Sequence, residues 1–488
     1  MIQRILLISL VLIVFPGLAA KPNVLFIAVD DLNDWIGCLG GHPQALTPNM
    51  DRLAKRGVLF TNAHCAAPAC NPSRAAVFSG LMPTRTGVWS NDSMRIEKAA
   101  PKAKLLTFAF REAGYQTLGA GKMLHGTVPE LFEEHHGVNQ RWSPFSKKAV
   151  PYTKAELPSK GTDNPRHVLK DSRGRTVVLP INRMPSDRKP NSVAGESFDW
   201  GGFDVPDSDF GDTQITSWAI NKLKNELGSK NPFFLGVGYY RPHIPLFAPQ
   251  KYFERFKKTP GKLPPIRKDD LKDIGPAGRK WAIEAVTAGS HATVLKHQQW
   301  RAAVEAYLAC TTYVDHEIGR LLDAVDQSDA AANTWIILWS DHGWHLGEKE
   351  HWGKWTGWER STRVPLMIVP PKRLAKRFAA GGSRCAQPVG LIDLYPTLAE
   401  ACGLSAPNKL DGQSLMPLLR APTKPTGRVL TTTFDRGNIS HRNTRWRYLR
   451  YSNGEEELYD LQNDPNEWTN LAADPLHDEL KKRLTEAH

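Results

Sequence analysis

Two seven-residue runs, NVLFIAV (residues 23–29) and TWIILWS (334–340), hold no charged side chain and stop abruptly at Asp30-Asp31 and Asp341-His342. A strand with one wet face alternates apolar and polar residues. A run apolar at nearly every position is a strand covered on both faces. PFFLGVGYY (232–240), YQTLGAG (115–121) and VPLMIVP (364–370) read the same way, with helical stretches between them. The pattern predicts an α/β fold, a mostly parallel sheet flanked by helices. Ligands of such sheets bind beyond the carboxyl ends of the strands. PFFLGVGYY ends at Arg241-Pro242-His243, and YQTLGAG runs into Lys122 and His125. Four runs thus end in residues capable of chemistry.

The chain has 488 residues, which predicts one large domain and a smaller one. Its start, MIQRILLISLVLIVFPGLAA, has Arg4, an apolar run and a small-residue end. We read residues 1–20 as a signal peptide cut before Lys21, and the mature protein as secreted or periplasmic. A retained anchor is the alternative, but the apolar run is short for a span, and no later stretch is apolar enough to cross a bilayer. Residues 21–422 are expected to form the large domain. After Pro422, RVLTTTF, RWRYLRY and EELYDL read as short antiparallel strands, followed by the polar helix PLHDELKKRLTEAH. Residues 423–488 are therefore expected to be a small α+β domain. The Pro-, Gly- and Ser-rich stretches 143–209 and 257–279 read as long loops.

Six cysteines in an exported chain of this length are not a disulfide scaffold. Cys38 with Cys65, and Cys385 with Cys402, are pairings the sequence leaves open. Cys310 lies in AVEAYLACTTYVDHEIGRLLDAV, whose apolar residues recur at helical spacing, so it is expected to be a buried thiol. The net charge of +13 suits a polyanionic partner. With no nucleic-acid-binding motif, an anionic polysaccharide fits better than nucleic acid. A scattered solvated surface would give the same charge.

Asp30-Asp31 at a strand end is a hard-oxygen pair suited to a divalent cation, although one aspartate alone would read as a cap or turn. Asp341-His342 repeats the arrangement. Three carboxylates around one point repel, and a doubly charged cation resolves the repulsion. Oxygen ligands favour calcium, while His342 leaves room for magnesium or a transition metal. The stretch PACNPSRAAVFSG (68–80) places Cys70 before a helix-starting Pro72. Its thiol is either a small apolar filler or a reactive group at a helix N-terminus, where the dipole favours an anion.

CNPSRAAVFSG resembles the signature of the formylglycine-dependent sulfatases, Cys-x-Pro-Ser-Arg followed by Thr/Ser-Gly. The resemblance extends to VDDLN, GKMLH, RPHIP, SDHGWHLGE with Lys354 downstream, and ELYDLQNDPNEWTNLA. It covers nearly the whole mature chain and is nearest the iduronate sulfatase-like branch. It implies an alkaline-phosphatase-like α/β domain with a small four-stranded C-terminal domain. It also implies a sulfuric ester hydrolase whose Cys70 is oxidised to formylglycine by a formylglycine-generating enzyme. The hydrated aldehyde attacks sulfur with one hydroxyl and ejects sulfate by collapse of the other. By position, Asp30, Asp31, Asp341 and His342 match the metal ligands, with modified Cys70 completing the set and calcium as the cation. Arg74 matches the arginine that holds the formylglycine. Lys122 and Lys354 match the lysines that grip sulfate. His125 matches the histidine beside the diol, and His243 the general acid for the leaving oxygen.

The substrate class implied is a sulfated carbohydrate, a glycosaminoglycan or an algal-type glycan. GWHLGEKEHWGKW departs from the family by placing His345 after Trp344 and adding His351 and Trp352. Aromatic faces suit sugar rings, so Trp344 and His345 are candidate substrate contacts. WSNDSMR offers Asn91, Asp92 and Arg95 for a pocket rim. Two rivals remain. A phosphatase or phosphodiesterase of this fold would use Ser or Thr as nucleophile, usually with a second metal site. A non-catalytic glycan binder would not need the carboxylates and both lysines intact.

Overall fold

The computed structural model describes residues 20–126, 128, 130–138, 145, 167–171, 173–185, 198–227, 231–285, 289–407 and 409–486. Its centre is an eight-stranded sheet in the order Ser383–Cys385, Val58–Phe60, Leu366–Val369, Thr334–Ser340, Asn23–Val29, Phe233–Tyr239, Gln116–Gly121, Glu134–His136. Asn23–Val29 runs parallel to Thr334–Ser340 and to Phe233–Tyr239, which runs parallel to Gln116–Gly121. These four parallel strands therefore point their carboxyl ends at one edge. VPLMIVP does supply a buried strand, Leu366–Val369, but it is antiparallel to both neighbours.

The apolar runs are explained by two covered faces. Val24, Phe26 and Ala28 enter one core with Val77, Phe78, Phe110 and Leu398. Leu25, Ile27 and Val29 enter the opposite core with Ile215, Val314, Ile318 and Leu322. Burial on both sides removes any use for polar residues along the strand. The helices responsible include Cys70–Ser79 on the first face, and Gly211–Asn225 with the 27-residue helix Trp300–Asp326 on the second. Cys310 is buried in that long helix.

At the C-terminal end, Leu430–Thr433, Ile439–Arg442, Trp446–Arg450 and Glu456–Asp460 form a four-stranded antiparallel meander. Leu449, Tyr451 and Tyr459 pack against Trp358 and Ala282 on one face. Tyr448 and Leu458 pack with Leu484 of helix Asp478–Glu486 on the other. The second strand, ISHR, lacks a clear alternating pattern and was not legible among the three strands read from sequence.

All six cysteines are free, so neither Cys38–Cys65 nor Cys385–Cys402 is joined. Burial pushes the Cys402 thiol up to about 12, and the Cys65 thiol faces the Ser361 carbonyl at 3.9 Å. Residues 1–19, the body of the expected signal peptide, lie outside the described residues, as does much of 143–209. Within the latter, His167–Lys170 and Thr176–Leu179 form a hairpin, and Trp200–Phe203 pairs with Leu246–Pro249. No described helix is long and apolar enough to cross a membrane.

Candidate active site

The four strand ends and one helix N-terminus converge on a buried polar centre. Cys70 opens helix Cys70–Ser79, with Ala69 extended before it and Gly80 closing the helix at φ 67°. The left-handed φ suits glycine and stops the helix cleanly. Every residue of this helix is buried. The Cys70 thiol lies 3.0 Å from Lys354 Nζ, 3.3 Å from His342 Nε2 and 3.9 Å from Asp31 Oδ1. Burial would raise its pKa. Lys122, Lys354 and His342, with a hydrogen bond from His125, overcome that and hold it well below the ordinary thiol value. The position is thus built to stabilise an anionic or strongly polarised atom.

Asp30 and Asp31 follow the first strand directly. Asp31 takes φ 61°, a conformation uncommon outside glycine that here turns its carboxylate toward the neighbouring strand end. Its N–H donates to Asp341 Oδ1 at 3.1 Å, its Oδ1 accepts from Lys354 Nζ at 2.8 Å, and its carbonyl accepts from Tyr307 Oη at 2.8 Å. Asp31 Oδ2 is buried without a hydrogen-bond partner among the described residues. Asp30 contacts Lys122 Nζ through Oδ2 and Arg74 Nη2 at 3.4 Å through Oδ1. Burial raises its pKa, but Lys122, His243 and Arg74 pull it well below the ordinary carboxylate range.

Arg74 Nε donates to Asp341 Oδ2 at 2.7 Å, and Nη1 donates to the carbonyls of Lys122 and Met123. Its donors therefore buttress two strand ends and offset the charge of Asp30 and Asp341. A Cβ at Gly238 would fall 2.0 Å from the Lys122 carbonyl oxygen. Only glycine lets that strand pass close enough for Lys122 to sit where it does. Burial pushes the Asp341 carboxyl up to about 7 despite Arg74 and His342. Such an environment is relieved by further positive charge.

His342 Nδ1 faces the Gly343 carbonyl at 3.0 Å. Donation there leaves the Nε2 lone pair toward Asp31 and Cys70, the orientation of a metal-ligating imidazole. Burial is the largest effect and lowers its pKa, but Asp341, Cys70 and Asp31 together outweigh it and raise the pKa, so a cation at Nε2 would compete with a proton. His243 Nδ1 likewise meets the Ile244 carbonyl at 2.5 Å, and Nε2 lies 3.9 Å from Asp31 Oδ2. Burial pushes the His243 pKa down. Asp30, Cys70, Asp341 and His342 form one group of donor atoms within 4.8 Å of one another, and Asp30, Asp31, Cys70 and His243 form another. The orphaned Asp31 oxygen, three carboxylates and a correctly turned imidazole fit a divalent cation with mainly oxygen ligands.

The structure thus gathers Cys70, Arg74, Lys122, His125, His243, Lys354, Asp30, Asp31, Asp341 and His342 around one point. It treats the substrate-contact candidates differently. Trp344 and Trp352 are 1% exposed core residues. Trp352 packs against Phe198 and Trp200 at 6.1 and 5.9 Å, and Lys354 lies 5.6 Å over the Trp344 ring. His345 is buried with Nδ1 3.0 Å from Ser361 Oγ. His351 lies between the carbonyls of Ala282 and Lys354, 2.8 Å from each. Trp344 and Trp352 belong to the aromatic cluster packed beside Lys354. Asn91 Oδ1 accepts from the Asn71 N–H at 2.9 Å, Asp92 is exposed, and Arg95 pairs with Glu97 at 2.8 Å.

Sequence reasoning missed several supports. Asn33 Nδ2 donates to the Trp344 carbonyl at 2.9 Å, and Ser340 Oγ accepts from Leu32 N at 3.0 Å. Asp212 accepts from Tyr240 N and Arg241 N, and Arg241 Nη1 donates to the His243 carbonyl at 3.1 Å, fixing that loop. Asn33 was within reach as the last letter of VDDLN. Tyr307 and Asp212 carry no local signal, because they reach the site only through folding.

The chain is similar to known proteins along most of its length. A family model described as Sulfatase matches residues 22–404, and one described as N-sulphoglucosamine sulphohydrolase, C-terminal, matches residues 347–487. A sulfatase of Formosa agariphila is 37% identical over 458 residues, covering 93% of this chain and 83% of that protein. Iduronate 2-sulfatase of Mus musculus is 29% identical, covering 79% and 69%. Choline-sulfatase of Rhizobium meliloti is 28% identical, covering 93% and 83%, so the iduronate branch is one of several similar ones. Among solved structures, one in complex with its substrate D-glucosamine-2-N,6-O-disulfate superposes at TM-score 0.70 with 20% identity, covering 95% and 96% of the two chains. The phosphonate monoester hydrolase of Agrobacterium radiobacter superposes at TM-score 0.75 with 22% identity, covering 96% and 94%. These two show the fold.

Proposed function

Since this chain belongs to the sulfatase family and is a sulfuric ester hydrolase, we propose that it removes sulfate from a sulfated carbohydrate through a formylglycine made from Cys70. The observation that carries this reading is the placement of the Cys70 Sγ, at a helix N-terminus within 3.3 Å of both Lys354 and His342. Oxidation of that side chain by a formylglycine-generating enzyme supplies a hydrated aldehyde whose hydroxyl serves as nucleophile. Asp30, Asp31, Asp341 and His342 would hold a divalent cation, calcium on this donor set, which lends Lewis acidity to the reacting oxygens.

The chain's own residues do the rest. Lys122 and Lys354 present ammonium groups to the sulfate oxygens, where charge builds during transfer. Lys354 is held charged, since Asp31, Asp30 and Asp341, together with the Cys70 thiolate before maturation, outweigh the effect of burial. Arg74 keeps Asp30 and Asp341 apart from each other's charge. His125, hydrogen-bonded to the Cys70 side chain, is placed to take a proton from a hydroxyl there. His243 is turned so that Nε2 faces the centre, and it protonates the departing sugar oxygen. Its lowered pKa makes it a ready donor and favours acid conditions.

The reading includes export, resting on the first twenty residues, and domains of 21–422 and 423–488. The test is to express the protein with and without a formylglycine-generating enzyme. The mass of the Cys70 peptide is then compared with hydrolysis of 4-nitrophenyl sulfate, 4-nitrophenyl phosphate and a phenyl phosphonate. Sulfate turnover that rises with the modified fraction supports the reading. Preference for the phosphorus esters by thiol-containing protein would replace it.

A further inference from the structure

The turn Asp435-Arg436-Gly437 joins strands Leu430–Thr433 and Ile439–Arg442 of the C-terminal sheet and leaves Arg436 exposed. The Arg436 guanidinium lies 5.9 Å from the centre of the half-buried Trp89 ring. No carboxylate pairs with it among the described residues; its backbone N–H is the group bonded to Asp435 Oδ1, at 2.7 Å. An arginine in cation–π contact with an indole is drawn to the ring while its edge donors stay open to a ligand.

Both residues are anchored to the chain on either side of Cys70. Thr432 Oγ1 donates to the Cys65 carbonyl at 2.6 Å, and Thr433 N donates to the Ala66 carbonyl at 2.9 Å. Asn71 Nδ2 donates to the Ser90 carbonyl at 3.0 Å, beside Trp89. Trp355 N donates to the Pro68 carbonyl at 3.0 Å, so the Lys354 segment closes a third side. Position 70 is fully buried, whereas Arg436 is exposed. A sulfate seated at Cys70 would leave the rest of its molecule against this rim.

We propose that Trp89 and Arg436 form the recognition rim for the leaving group. The indole carries the sugar ring, and the guanidinium binds a second anionic group on the sulfated saccharide, a carboxylate or another sulfate. The sulfatase reading is the premise, and the rim narrows its substrate to saccharides with more than one negative charge near the scissile ester. Charge complementarity carries the choice: a paired carboxylate or sulfate would complete the fork that the protein leaves open.

The test uses full-length Cys70→Ala protein, which holds saccharide without turning it over, and isothermal calorimetry. The probes are a heparin tetrasaccharide, its carboxyl-reduced form, an ι-carrageenan tetrasaccharide and neutral agarotetraose. Arg436→Glu is expected to weaken an anionic probe by about tenfold or more. Arg436→Lys is expected to retain most of the affinity, and Trp89→Ala to weaken neutral and anionic probes alike. Lys376→Glu, an exposed charge change in the Lys372–Arg377 turn, corrects for net charge. Loss on carboxyl reduction identifies a carboxylate as the group bound; binding that survives it identifies sulfate. If no anionic probe binds, or if Arg436→Glu and Lys376→Glu act equally, the rim is overturned. Failure of the matured enzyme on 4-nitrophenyl sulfate would instead remove the sulfatase premise, and the calorimetry is independent of it.

Discussion

Arg74 Nε donates to Asp341 Oδ2 at 2.7 Å, and both side chains are fully buried. This ion pair ties the helix that begins at Cys70 to the end of a strand more than 260 residues later in the chain. Ser73 Oγ donates to the Asp341 carbonyl at 2.5 Å and doubles the tie. Position 70 and the Asp341 carboxylate are thereby held at fixed separation, as the proposed nucleophile and cation ligand require.

The Cys70 peptide of matured protein should lose its sulfur, gain a carbonyl oxygen and react with a hydrazide probe. Cys70→Ala should abolish turnover with little change in melting temperature, because one buried small side chain replaces another. Full activity in protein shown by mass spectrometry to carry only the thiol would sink the mechanism.

Asp31→Asn should weaken cation binding, because Asp31 Oδ2 is a buried oxygen with no hydrogen-bond partner among the described residues. Chelation should inactivate the wild-type enzyme and calcium should restore it. Calcium at a hundred times its dissociation constant should add about 2.7 kcal/mol of stability, and Asp31→Asn should lose that gain. A melting temperature indifferent to calcium in wild-type protein would count against the site.

His243→Ala should harm sulfated sugars more than aryl sulfates, since an alkoxide leaving group needs a proton and a phenolate does not. The expected excess is roughly 10²–10⁴-fold in kcat/KM. Lys122→Ala, aimed at the sulfate itself, should harm both alike. Equal losses for His243→Ala would recast it as a positioning residue.

His291 should contribute to acid lability. Burial, reinforced by His351, pushes its pKa down to about 4, against an ordinary value of 6.5. Between those values the unfolded chain binds the proton and the folded protein does not. Stability from this group is thus fully present above pH 6.5 and lost as pH falls toward 4, by about 3 kcal/mol at most. His291→Gln should flatten the pH dependence of the melting temperature over that interval. An unchanged slope would place the acid lability elsewhere.

Arg447→Ala should destabilise the protein by about 3–5 kcal/mol. The side chain is fully buried, pairs with Glu359 and with Glu467 at 2.8 Å, and donates to the Gly357 carbonyl at 2.8 Å. Glu467, buried, would lose its arginine, and Glu359 would keep only Arg442 and Arg363. Because this network holds the segment after Lys354, kcat should fall as well. Chemical denaturation together with aryl sulfate kinetics reads both effects.

The parallel centre of the fold was legible because burial on both faces writes itself into a strand as an unbroken apolar run. The ligand edge followed from what terminated those runs. The antiparallel turn of Leu366–Val369 was not legible, since an apolar run looks the same in either direction. The strand Ile439–Arg442 was missed because its burial comes from neighbouring strands rather than from its own alternation. GWHLGEKEHWGKW misled in the opposite sense. Aromatic side chains look the same in sequence whether they line a sugar site or pack into a core, and Trp344 and Trp352 join a buried aromatic cluster that the sequence did not announce.

The sequence alone determined which residue types stand at each strand end, and so the acids, imidazoles and ammonium groups available to the site. It also determined the family, through motifs whose order along the chain survives without coordinates. Only the tertiary structure decided which groups meet. Asp31, Cys70, His342 and Lys354 are spread over more than 320 residues, and their contact depends on sheet order, which the linear chain does not state. It also decided that Arg436, of a separate sheet, lies over Trp89. That pairing arises from packing between distant segments, and packing is a property of surfaces that exist only once the chain has folded.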